Sequence, residues 1–225
     1  MKLSLVIVAL ILLASCKSLH EIPQLPKDQY HISAKDAKKI NAGYQGKNNL
    51  KLSVESNDSA ILFYTNNYQK KVLLDSFVFD GLLLKQRIID IDVFTIPFKI
   101  RPRVNDFPPQ LNPNFSAAIY LGKRLNYYRY LDTNNEGAKL FTRGIGYGIF
   151  TGLGAVTMNP YVTNGTIDYE YDGIVVNSGA ALIFDAKKFN LGLSIGTDFL
   201  LDKNKRSWLY HTKAWLGILF GIDLN

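Results

Sequence analysis

Cysteine is nearly missing from this sequence. Cys16 is the only one, which excludes a disulfide framework and a thiolate metal cluster. A phosphate-binding loop is missing too: no G-x-x-x-x-G-K-[ST] occurs, and the glycine-rich stretch RGIGYGIFTGLGAV, residues 143–156, does not replace it. Its glycines stand at 144, 146, 148, 152 and 154, so no G-x-G-x-x-G fits them, and no helix pattern follows whose amino end would hold a phosphate. Long hydrophobic runs are scarce, and Leu3 to Ala14 is too short for a transmembrane helix. There is no dense Lys/Arg stripe. The 26 basic and 19 acidic residues give +7, but the basic ones are scattered over loops and strand ends, which argues against nucleic acid as a partner. No cofactor or metal is expected.

What is present begins with MKLSLVIVALILLASC, a basic start followed by an apolar run, the form of a secretory signal peptide over 1–15. Its end, Leu13-Ala14-Ser15-Cys16, resembles the bacterial lipobox. That resemblance implies cleavage before Cys16 and acylation (palmitate among the acyl chains) of its sulfur and new amino group, giving stable membrane attachment. Removing residues 1–15 takes away only Lys2 among the charges, leaving 25 basic against 19 acidic, or +6. Attraction to anionic lipid head groups is the expected use of this charge. Residues 16–48 are polar with few large apolar side chains and read as a linker with one short helix. Ser33 would cap that helix, Asp36 would complete an imperfect capping box, and Gly43 would end it.

From residue 49 to 225 the helical period disappears and a period of two takes over. The last segment, 207–224, sets Trp208, Tyr210, Thr212, Ala214, Leu216, Ile218, Phe220, Ile222 and Leu224 against a mixed, smaller face that includes His211, Lys213 and Trp215. Segments 189–200, 173–185 and 115–128 alternate likewise. In 141–155 the glycines share one face, with Ile145, Tyr147, Ile149 and Leu153 on the other. Glycines facing water would weaken a strand for no gain. Facing a crowded closed interior, they leave room for Tyr120, Arg124, Tyr128, His211, Lys213 and Trp215.

The expectation is an all-β fold: an antiparallel up-and-down transmembrane β-barrel of about eight strands, filled rather than open, preceded by the linker. Earlier strands are placed at 88–101, around 71–80 and around 50–66. DVFTIPFKIRP (92–102), LNPNFSAAIYLG (111–122) and the last strand resemble small outer-membrane barrel proteins of Gram-negative bacteria. Residues 215–225 resemble the C-terminal strand that barrel-assembly machinery recognises, apart from ending in Asn225 rather than an aromatic residue. The resemblance implies an outer-membrane location with the linker and C-terminus periplasmic. It places loops 102–114, 157–172 and 201–206 outside, and implies no particular activity. Outward Phe115, Phe199, Trp208 and Tyr210 would form an outer aromatic girdle, and Phe141, Phe184, Phe189 and Phe220 an inner one. Lys123 and Arg143 would sit at the periplasmic rim. Asp90 and Asp92 share parity with Phe94, Ile96 and Phe98, which calls for a bulge or a rim position.

Two sets of residues are candidates for chemistry. A turn centred near 203–204 would put His211 opposite Gly196, with Ser194 and Asp198 diagonal to it. Such a Ser–His–Asp set resembles the lipid-modifying acyl hydrolases of the outer membrane. The competing reading is a polar interior network of Asp198, His211 and Lys213. Loop 157–172 offers Tyr161, Asp168, Tyr169, Glu170 and Tyr171 as an interaction surface, with carboxylate spacing unlike an EF-hand. Three functions stay open: a structural or surface-interaction barrel, a soluble periplasm-facing β-sandwich lipoprotein holding a lipophilic ligand, and a barrel acyl hydrolase.

Overall fold

The computed structural model describes residues 20–22, 24–41, 44–46, 48–56, 60–65, 68–73, 81–132, 138–185 and 190–222. Cys16, Gly43, Phe189 and the turn 186–188 lie outside the described residues. In chain order the elements are β1 (His20–Ile22), β2 (Asp28–Ile32), helix α1 (Ala34–Ile40), β3 (Leu50–Ser56), β4 (Ala60–Thr65), β5 (Tyr68–Leu73) and β6 (Leu83–Arg101). They continue with β7 (Gln110–Asn112), β8 (Ser116–Asp132), β9 (Ala138–Met158), β10 (Tyr171–Asp185), β11 (Asn190–Leu200), a 3-10 turn (Lys203–Arg206) and β12 (Ala214–Ile222).

The fold is all-β and the registered pairings are antiparallel. β9, β10, β11, β12, β6 and β8 neighbour one another in that order, and β8 returns to β9, so six strands close a ring. The sequence pattern suggested about eight. The difference lies in 50–66 and 71–80: β3, β4 and β5 join β2 in a separate row leading away from β6. Short alternating strands look alike in sequence whether they close a ring or cover a second core. By its contacts the chain forms two compact units, residues 1–86 with 127–143, and residues 87–126 with 144–225.

The first unit overturns the linker expectation. Tyr30, Ile32, Ala37 and Ile40 from the supposed linker are buried with Leu52, Val54, Ile61, Phe63, Leu84, Tyr128 and Tyr130. These apolar positions are spaced by two in β2 and by three in α1, so each short element buries one face. α1 starts as expected. The Ser33 hydroxyl accepts from the Asp36 N–H at 3.1 Å and donates to the Asp36 carboxylate at 2.8 Å. Asn41 caps the other end. The Tyr30 hydroxyl donates to the Pro26 carbonyl at 2.6 Å, and its ring meets Tyr128 edge-on. The Tyr128 hydroxyl donates to Gln86, whose amide donates to Asp28.

The second unit holds the registered pairs of β9 with β10, β10 with β11, β11 with β12 and β12 with β6. Its inward rows carry the glycines, as their alternation required, and at several of them only glycine fits. A Cβ on Gly148 would lie 2.3 Å from the Leu121 carbonyl oxygen, and one on Gly152 would lie 1.9 Å from that of Ala117. Gly179 faces Gly196 directly across β10 and β11, and its Cβ would meet the Ile195 carbonyl at 2.1 Å. The neighbouring backbone therefore folds over the inward face at these points, as tight closure demands. Pairing between β12 and β6 shifts register between Ile218 and Phe220, opposite Thr95 to Phe98. This is the bulge that the parity of Asp90 and Asp92 required. Ahead of it Asp90, Asp92, Phe94 and Ile96 are buried; after it Lys99 and Arg101 are buried and Phe98 is exposed.

One expectation about the last hairpin fails. β12 begins at Ala214, and 201–213 is a long connection rather than the start of a strand. Trp208 and Tyr210, expected on an outer girdle, are buried with Val156, Met158, Val162, Ile167, Val175 and Leu200. The alternation of 207–213 arose in a folded loop.

A Gly179→Ala variant should lose more than about 2 kcal/mol in denaturant unfolding, because its methyl meets fixed backbone. Gly165→Ala, in open space but at φ +73°, should lose only about 1 kcal/mol.

Candidate functional site

The interior of the second unit concentrates the buried charge. Along β6 the inward positions read Asp90, Asp92, Phe94, Ile96, Lys99 and Arg101, so an apolar stretch separates two charged ones. The apolar layer is Phe94, Ile96, Tyr120, Phe150, Trp215 and Leu219, with Ala118, Ala181 and Ile183.

At one end Arg124 of β8 reaches Asp90 through Nε at 2.9 Å and Nη2 at 2.8 Å, and Asp92 through Nη2 at 2.9 Å. The Asn190 amide adds a donor to Asp92 at 3.1 Å. At the other end Asp198 of β11 receives Lys99 Nζ at 3.0 and 3.2 Å and an Arg101 Nη2 hydrogen bond. Lys99 Nζ sits 4.7 Å above the Trp215 ring, and Arg101 Cζ lies 4.9 Å from Trp208 and 5.5 Å from Tyr210. Such ring contacts suit cations that burial has stripped of water. Formal charges give one cation with two carboxylates at the first end and two cations with one carboxylate at the second. The two excesses cancel across the interior.

Of the residues expected inside, Tyr120, Arg124 and Trp215 are buried in this unit and Tyr128 in the core of the other. His211 is only half-buried and Lys213 is exposed. Lys99 and Arg101 were missed. Their signal was present in the parity conflict along β6, which a bulge beside Pro97 resolves by turning both inward.

The Ser–His–Asp residues are not joined by hydrogen bonds to one another among the described residues. Asp198 is occupied by Lys99 and Arg101, and the Ser194 hydroxyl donates to the Gly217 carbonyl at 3.2 Å. His211 Nδ1 accepts from the Leu200 N–H at 3.3 Å. The physical reason is register: Gly196 faces Trp215, not His211, because the connection is longer than a tight turn.

Loop 157–172 is ordered by its own bonds. The Asn159 side chain accepts from the Tyr161 and Val162 N–H groups, each at 3.1 Å. Tyr161 is exposed and packs edge-on against Phe107 at 5.1 Å. The Tyr171 hydroxyl donates to Asp202 at 2.7 Å and accepts from Asn204 at 2.9 Å. Tyr169 is exposed and accepts from the same Asn204 amide. Asp168 and Glu170 are exposed, and Glu170 accepts from Asn159 at 3.4 Å. No group of three or more His, Cys, Asp or Glu among the described residues could hold a metal ion.

No family model, curated protein or solved structure matches the chain. Its chemistry therefore rests on the geometry above.

Asp198→Ala should cost about 3–5 kcal/mol, because it strands two buried cations. Ser194→Ala, which removes one neutral hydrogen bond, should cost about 1 kcal/mol. Urea unfolding monitored by tryptophan fluorescence measures both, and equal losses would contradict the ion cluster as the stabilising centre.

Proposed function

We propose that the second unit is a sealed β-barrel crossing the outer membrane of a Gram-negative bacterium, in a protein anchored through lipidated Cys16 and serving a structural or surface-interaction role. One observation carries this reading. Among the described residues, every exposed large hydrophobic side chain lies in the second unit, and all six ring strands contribute. Examples are Ile91 on β6, Ile119 on β8, Ile149 on β9, Ile174 on β10, Ile195 on β11 and Leu216 on β12. A continuous apolar face of this kind is far from the surface of a water-soluble domain and close to that of a membrane strand ring.

The polarity change along single strands supports the same reading. On β6 the outward row passes from Lys85 and Arg87 to Ile89, Ile91 and Val93. On β8 it passes from Ile119 and Leu121 to Lys123, and on β9 from Arg143 to Tyr147 and Ile149. Each switch falls at a basic residue, suited to lipid head groups while its stem lies along apolar surface. β11 and β12, of 11 and 9 residues, match the roughly 9–11 residues a tilted crossing strand needs. No helix among the described residues is long and apolar enough to cross a membrane. The filled interior favours a sealed structure over a pore. Partners on this reading are membrane lipid, the barrel-assembly machinery, and a surface ligand at loops 102–114 and 157–172.

A Cys16→Ala protein should stay with membranes through a carbonate wash and migrate differently on gels before and after boiling. Its complete release into the soluble fraction would overturn the barrel and favour a water-soluble lipoprotein.

A further inference from the structure

We propose that segment 201–213 is an acid-released lid, held shut by neutral His211 over the Lys99–Arg101–Asp198 cluster. This goes beyond the membrane reading and does not depend on it.

The pairing of β11 with β12 ends at Thr197 and Ala214. Past that point the segment itself engages two backbone groups of β11. The Thr212 N–H donates to the Asp198 carbonyl at 2.9 Å, and the Leu200 N–H donates to His211 Nδ1 at 3.3 Å. The second bond exists only while Nδ1 carries no proton, since an imidazolium has two donors and no acceptor. Between these two bonds the chain is strained. Thr212 is β-branched yet stands at φ +58°, in the left-handed region that such residues avoid. The bonds hold the chain in a conformation it would otherwise leave. What the segment covers is charged: its Trp208 and Tyr210 rings lie against the Arg101 guanidinium.

The groups around His211 set the direction of the response. Lys205, from the 3-10 turn, places Nζ 5.1 Å from the Phe199 ring, and the His211 ring lies 4.8 Å from that same Phe199. The Trp208 ring is 6.4 Å from His211. From β11, the Asp198 carboxylate is turned to Lys99 and Arg101, and Asp202 accepts from Tyr171 and from the Asn204 N–H. Lys213, next but one along the chain, is exposed. The charge acting on the ring is therefore positive. Burial first, and Lys205 second, hold the His211 pKa below the ordinary histidine value. A histidine with a depressed folded-state pKa stabilises the closed form above its unfolded value, and that contribution is lost as pH falls through the folded one. The lid is closed at neutral pH and opens on acidification.

Acrylamide quenching of the full chain in detergent micelles tests this, because Trp208 and Trp215 are the only tryptophans and both are buried. Between about pH 7.5 and 4.5, a range spanning histidine titration, one of the two should become quenchable while the other stays protected. His211→Gln can still accept from Leu200 and cannot titrate, so it should remain protected throughout. His211→Ala should expose one tryptophan at both extremes, and Lys205→Ala, which makes a protonated His211 less unfavourable in the closed lid, should move the midpoint to lower pH. A wild-type chain without the rise overturns the lid, as does a His211→Gln chain that keeps it. Simultaneous exposure of both tryptophans would mean general unfolding and would also overturn it.

Discussion

Closing a sheet with only six strands requires curvature that ordinary side chains obstruct, and the rest of the second unit depends on where that obstruction is removed. Gly122 and Gly148 meet across β8 and β9, where a Cβ on either would lie within 2.6 Å of the opposing backbone. Gly179 and Gly196 meet likewise across β10 and β11, where a Cβ would lie 2.1 and 2.7 Å from the opposing backbone respectively. At these corners the neighbouring strand occupies the space a methyl would need. Elsewhere on the inward face, glycines make room for rings. Trp215 lies over Gly196 and Gly217, Phe94 over Gly221, and Tyr120 over Gly122. Large and small inward residues thus alternate around the ring, the usual way to fill a narrow closed sheet.

That narrowness explains why the interior charges are so closely paired. Burying a carboxylate or an ammonium costs several kcal/mol unless partners replace the lost water. Arg124 meets two carboxylates and Asp198 meets two cations, so each end carries a hub rather than an isolated pair. The bulge on β6 makes this possible. Without the one-residue shift, Lys99 and Arg101 would lie on the outward face with Ile89, Ile91 and Val93, and Asp198 would be left alone. A local backbone irregularity therefore decides the electrostatics of the whole interior, and the opposite excesses at the two ends add to an uncharged core.

Much of this was legible in the sequence. Period-two alternation placed the glycines, Tyr120, Arg124 and Trp215 on the inward face, and S-x-x-D at Ser33 marked the helix start. Two kinds of feature were not legible. Alternation carries no strand count and no end point: Trp208, Tyr210 and Thr212 continue the pattern of β12 although the chain has left the sheet there. That extension misplaced His211 and with it the Ser–His–Asp set. The second kind is long-range pairing. Nothing local distinguishes Leu52 and Val54, which cover a second core with α1, from outward or inward residues of the ring. The conflict at Asp90 and Asp92 was visible, but its resolution required the partner strand.

The lengths of β6, β8 and β9, at 19, 17 and 21 residues, fit a further constraint that applies if the ring crosses a membrane. In hydrocarbon no water replaces a missing ladder bond, so each backbone group there must be paired within the protein. A strand that ended at the membrane surface would leave its last N–H and C=O groups where solvation changes over a few ångströms. On that reading β6, β8 and β9, each of which contributes residues to both units, need not end there. The outward side chains then do the adapting, from Ile and Leu to Arg87, Lys123 and Arg143, while the backbone does not.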